Sequence, residues 1–170
     1  MKNKMFKRSI LLLLVFSLGC ASLPASPPGT KPVITQAFIN QERGVYGSIL
    51  KIYIGADDPK GFMFRIATVV DQVGYGSYPT DWIYLKPQYQ RYLKGYLQWN
   101  TFSSSTSRIS EWTQVTLKVS AFDKAGNESN VVVFPFEFVS EAIHESRPPA
   151  PFYEEDPRLG YLNINLLEPF

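Results

Sequence analysis

The chain has 170 residues, of which 45% are hydrophobic and 15% aromatic, enough to bury one sizeable core. Its formal charge is only +2, its single cysteine excludes an internal disulfide, and its single histidine excludes a His-rich or Cys/His metal cluster. The aromatics are mostly Tyr (10) and Phe (12), a composition that favours sheet over helix.

The charge is unevenly placed. Lys2, Lys4, Lys7 and Arg8 precede Cys20 and no acid does. Without residues 1–19, and so without those four cations, the +2 becomes −2, which argues against a nucleic-acid partner. After this basic start comes an apolar run from Ile10 to Leu18, interrupted only by Ser17. A bilayer span needs about 20 apolar residues, so the run is too short to cross and reads as a secretory signal.

The run ends in Ser17-Leu18-Gly19-Cys20, and this N-terminus resembles the lipobox signal peptide of bacterial lipoproteins. Ser17 and Leu18 exchange the places of the commonest pattern, so the match is to its relaxed form. The resemblance implies cleavage after Gly19 and diacylglycerol on the Cys20 sulfur, with palmitate-type acylation holding the chain to a membrane. Ala21, where an Asp would mark inner-membrane retention in many Gram-negative bacteria, leans toward the outer membrane. Residues 20–32 continue with Pro24, Pro27, Pro28 and Pro32 among small polar residues, the composition of a semi-extended tether.

From residue 33 the pattern is that of strands. Val33 to Ile39 reads as the first. In Ile49 to Ala56, Leu50, Ile52, Ile54 and Ala56 share one face and Lys51, Tyr53 and Gly55 the other, the period of a half-buried strand. Asp57 to Gly61 is turn chemistry. In Phe62 to Val73, Phe62, Phe64, Ile66, Thr68 and Val70 are expected on one face, with Met63, Arg65, Ala67 and Val69 on the other. A loop with Tyr75 and Tyr78 follows, then a short strand at Trp82–Leu85, an ambiguous stretch at Pro87–Arg91 that suits a turn of helix, and a strand at Tyr92–Trp99. Trp112 to Asp123 places Val115, Leu117, Val119 and Ala121 together; after a turn at Lys124–Glu128, Asn130 to Phe138 closes the body, with Pro135 marking an edge or a bulge.

About seven short strands between turns, with no amphipathic helix, predict an all-β antiparallel sandwich over residues 33–140. Residues 119–129, VSAFDKAGNES, with the earlier Ile54-Gly55-Ala56-Asp57-Asp58, resemble the strands and final hairpin of bacterial immunoglobulin-like domains. That resemblance implies an immunoglobulin-like fold without the antibody disulfide and says almost nothing of function. Residues 141–170 form a Pro-rich tail. Its alternating stretch Leu159–Leu167 reads either as an extra strand of the sandwich or as a docking peptide for a partner.

Three sets of candidate residues follow. Asp57, Asp58, Asp123 and Asn127, at the ends of two strands, are hard oxygen donors of the kind that suits Ca²⁺; each equally suits the capping of its own turn. Tyr75, Tyr78 and Tyr89 stand on expected loops within an aromatic-rich segment that also contains Trp82, Tyr84, Tyr92, Tyr96 and Trp99, and they are candidate contacts for a protein or glycan partner. Catalysis has no oriented base to rest on, since His144 stands alone beside the Pro-rich tail. The expectation is a lipid-anchored, non-enzymatic envelope protein that binds or scaffolds other envelope proteins. The alternative is a carbohydrate or cell-wall binder using the Tyr/Trp segment. No cofactor beyond Ca²⁺ is expected.

Overall fold

The computed structural model describes residues 31–104, 109–141 and 144–168; Cys20 and nearly all of the tether lie outside the described residues. The strands, in chain order, are β1 (Val33–Ile39), β2 (Arg43–Gly44), β3 (Ile49–Asp57), β4 (Met63–Gln72), β5 (Gly76–Ser77), β6 (Asp81–Tyr84), β7 (Tyr92–Asn100), β8 (Gln114–Asp123), β9 (Val132–Phe138) and β10 (Arg158–Leu162). Sheet I has the order β1-β3-β7-β10. Sheet II has the order β2-β9-β8-β4, with β5 and β6 both on β4. The fold is an all-β sandwich. Its pairings β1-β3-β7 and β9-β8-β4 are those of strands A-B-E and G-F-C in an immunoglobulin-type sandwich. The sheets are not purely antiparallel, because β2 runs parallel to β9 and β10 parallel to β7.

The alternation expected in β3 and β8 places the core. Leu50, Ile52, Ile54 and Ala56 of β3 face Val115, Leu117, Val119 and Ala121 of β8 across the interior, all at 2% exposure or less. Strand β4 departs from its expected phase. Met63 pairs with Asp123 and Arg65 with Phe122, so β4 carries one extra residue at that point. Such a bulge shifts the in–out alternation by one position. Met63 is therefore fully buried, while Phe62 and Phe64, expected on the same face as the buried Ile66, stand on the outside. Pro135 lies on a stretch of β9 that β2 leaves uncovered, since β2 pairs only with Glu137 and Phe138.

The tail belongs to the sandwich. After β9 it is held to the end of β1 by Ser146 N donating to Asn40 O (2.7 Å), and it then crosses the outer face of sheet I. There Phe152 packs on Tyr53 (ring centroids 5.6 Å apart) and buries it, although Tyr53 lies on the strand face expected to be solvated. Strand β10 then docks on β7 over Gly95, where a Cβ would strike the Pro157 carbonyl. Its last residue, Leu162, and beyond it Ile164 and Leu166 enter the core, and β10 lies against β6 as well as β7. The tail strand Arg158–Leu162 is thus paired within its own chain.

Two ends of the sandwich are distinguishable. At the entry end the chain comes into β1, with Val33 opposite Asp57. Turns 58–62, 86–91 and 124–130 meet there: Asp58 N donates to Arg91 O, Met63 N to Gln90 O, Lys124 N to Phe62 O, and Ile34 N to Asn130 Oδ1. The opposite end gathers residues 40–48, the turn after Gln72, residues 101–104 and 109–113, and residues 139–141 and 144–146, joined by bonds such as Val73 N to Gln114 O and Val139 N to Gly44 O.

Candidate binding surface

The three tyrosines singled out by sequence do not converge. Tyr75 and Tyr78 lie at the opposite end and Tyr89, in a 3₁₀ turn at Pro87–Tyr89, at the entry end. Tyr78 is not a surface residue at all. It is 7% exposed; its hydroxyl donates to Gln72 Oε1 (2.5 Å) and accepts from Leu167 N (2.7 Å), while Gln72 Nε2 donates to Leu167 O (2.6 Å). The pair therefore grips both backbone groups of one tail residue, as a neighbouring strand would. Burial pushes the Tyr78 hydroxyl above the ordinary tyrosine pKa. Tyr75 stacks on its ring at 4.7 Å, and Tyr89 is half-buried against the core. The rest of the aromatic segment is also divided: Trp99 fills the interior and donates to Ile164 O, and Tyr96 lies beside Tyr53 on sheet I.

A different aromatic surface forms on the outer face of sheet II. Tyr84 of β6, 61% exposed, meets Phe64 of β4 edge-on at 5.3 Å. Trp82 of β6 meets Phe122 of β8 in the same geometry, also at 5.3 Å. The Arg65 guanidinium lies 3.8 Å from the centroid of the Trp82 ring and 5.8 Å from that of Phe122. Its Nε is buried and has no hydrogen-bond partner among the described residues, and the rings lie against that part of the cation. Trp82 and Tyr84 were visible as members of the aromatic segment. Phe64 and Phe122 were not read as partners, because the first depends on the bulge and the second on the β4–β8 register.

Two of the carboxylates offered as calcium donors, Asp58 and Asp123, organise their own turns. Asp58 is buried; Oδ1 accepts from Lys60 N (2.9 Å) and Oδ2 from Phe62 N (2.7 Å). Asp123 accepts from Asn127 N (2.8 Å) and from Asn127 Nδ2 (2.7 Å). Asp57 is exposed at the end of β3. Among the described residues no group of three His, Cys, Asp or Glu side chains is placed to hold a metal ion. Asp58 and Asp123 each cap their own turn. His144 is exposed, lining a shallow groove with Phe38 and Glu42. No helix among the described residues is long and apolar enough to cross a membrane.

The fold and the surface define a β-sandwich with an open aromatic–arginine face. In comparisons with known proteins, no family model and no curated protein matches the chain.

Proposed function

We propose that this chain is a lipid-anchored, non-enzymatic protein of the cell envelope, held to the outer membrane through Cys20, whose sandwich docks a partner protein on the outer face of sheet II. The observation that carries the reading is the cluster of Phe64, Arg65, Trp82, Tyr84 and Phe122. Trp, Tyr and Arg are the side chains that dominate binding energy at protein interfaces. A guanidinium stacked on Trp also keeps its charge on an apolar surface, which suits a partner that brings a carboxylate.

A photo-crosslinking residue at Tyr84 of the full chain, expressed in its own cells, is expected to give a discrete protein adduct. A probe at Tyr153, exposed on the sheet I side, is expected to give none, and Trp82→Ala is expected to abolish the Tyr84 adduct. The same flat rings also suit a sugar. Loss of glycan binding in Trp82→Ala, without any protein adduct at Tyr84, would assign the face to carbohydrate. Labelling with a palmitate analogue tests the anchor: label retained by Cys20→Ser would refute it.

A further inference from the structure

We infer that the entry end of the sandwich is a lipid-facing surface that lies against anionic headgroups, with Phe62 at its tip. The inference rests on the lipid-anchor reading for what brings this end to a bilayer, and on three features of the fold for what it does there.

The first is where the chain enters. Val33 opens β1 opposite Asp57, so the described chain begins, at Lys31, beside the turns 58–62 and 124–130. The eleven residues between Cys20 and Pro32 span about 18 Å on average if flexible and about 34 Å as a polyproline-II chain, so this end is the part of the domain held closest to Cys20. The second is charge. Lys31, Lys60, Lys86, Arg91 and Lys124 are all exposed at the entry end, against exposed Asp57 and Glu128. Asp58 and Asp123 are buried within their turns. The opposite end has Glu42, Glu111, Glu141 and Glu145 on its surface, and its Arg43 is paired with Glu137 at 3.1 Å. Each basic side chain near an anionic surface adds roughly fivefold to local binding, and acids there oppose it. The acidic residues 154–156 lie on the sheet I side, where Asp156 binds Lys94 at 3.2 Å, so the favoured tilt turns sheet II toward the bilayer.

The third feature is Phe62. It is 50% exposed and follows Gly61, whose φ of +72° makes the tight turn. The buried Asp58 carboxylate accepts from Phe62 N, so the turn holds the ring outward, and Lys124 Nζ lies 6.0 Å from the ring centroid. An apolar ring flanked by cations is the composition of an interfacial membrane contact. With this end down, the aromatic face of sheet II stands at the membrane surface, and its partner is met there.

Because Cys20 is the chain's only cysteine, Ala125→Cys at the entry end and Ser110→Cys at the opposite end each introduce a single new thiol. The full chain, labelled there with a fluorophore, is reconstituted in phosphatidylcholine vesicles with or without phosphatidylglycerol, each carrying a headgroup quencher. Quenching at position 125 is expected to exceed that at 110 at least threefold in anionic vesicles. The excess is expected to fall to near parity in neutral vesicles and in a Lys60→Glu, Lys86→Glu, Lys124→Glu variant. Equal quenching at the two positions in anionic vesicles, or an excess indifferent to lipid charge, overturns the inference. Flotation with neutral vesicles reports the anchor alone. A chain that fails to float there lacks the lipid; Cys20→Ser versions of the two labelled variants, each with one thiol, then carry the contrast between positions 125 and 110 in anionic vesicles.

Discussion

On sheet I, the outer-face ring of Tyr53 lies beneath Phe152 and is 1% exposed; on sheet II, the outer-face ring of Tyr84 is 61% exposed. Both faces present aromatic side chains from adjacent strands. The difference is a tail that passes over one sheet only. Aromatic residues on an outer face therefore have two fates in this molecule: covered by the chain's own residues 146–157, or left open with an arginine stacked among them. The covered face contributes to stability, whereas an open ring with few neighbours contributes little to it and is available to a partner.

The contrast is sharpest where the tail enters the core. Leu166→Ala removes a fully buried side chain and is expected to cost about 2–5 kcal/mol in urea unfolding, with the tail loosened from β7. Gly95→Ala attacks the same docking from beneath, since the added Cβ meets the Pro157 carbonyl and the Leu159 side chain; it is expected to cost about 1–3 kcal/mol by the same measurement.

A pH titration reads the cover directly. The Tyr53 pKa is raised, first by burial and then by the neighbouring Tyr96 and the acids Glu154, Asp156 and Glu145. A group whose folded pKa lies above its unfolded value contributes stability that is complete below about pH 10 and is lost as pH rises through the folded value. Ultraviolet absorbance is therefore expected to show Tyr53 ionising late, and Phe152→Ala is expected to move that step back toward the ordinary tyrosine range. An unchanged step in Phe152→Ala would mean that the tail does not supply the burial. The smallest effect is expected on the open face, where Tyr84→Ala changes stability by no more than about 0.5 kcal/mol. A loss above about 2 kcal/mol there would place Tyr84 on the covered side of the comparison.

Much of the fold was legible in residue order. The alternation of Leu50, Ile52, Ile54 and Ala56, and that of Val115, Leu117, Val119 and Ala121, requires nothing beyond a strand with one buried face, and both sets are in the core. The turn at Asp57–Gly61 was equally readable, because an Asp that accepts from amides two and four residues on acts locally. Phe62 and Phe64 were misplaced because a bulge is a property of a strand pair: nothing within β4 marks where β8 falls one residue short. Tyr78 was misplaced for a similar reason, as its hydroxyl is held by the backbone of Leu167, 89 positions away.

Taken alone, the sequence determined the local matters: a basic start and apolar run ending at the only cysteine, a proline-rich stretch, and a set of strands whose alternate residues form one core. These follow from composition and from the two-residue period of an extended chain, which neighbouring residues suffice to define. Only the tertiary structure decided which aromatic rings are covered and which are open, that the tail closes the sandwich, and which turns share an end with the chain's entry. Those outcomes depend on strand register and on contacts between distant segments, and such contacts exist only once the two sheets have packed.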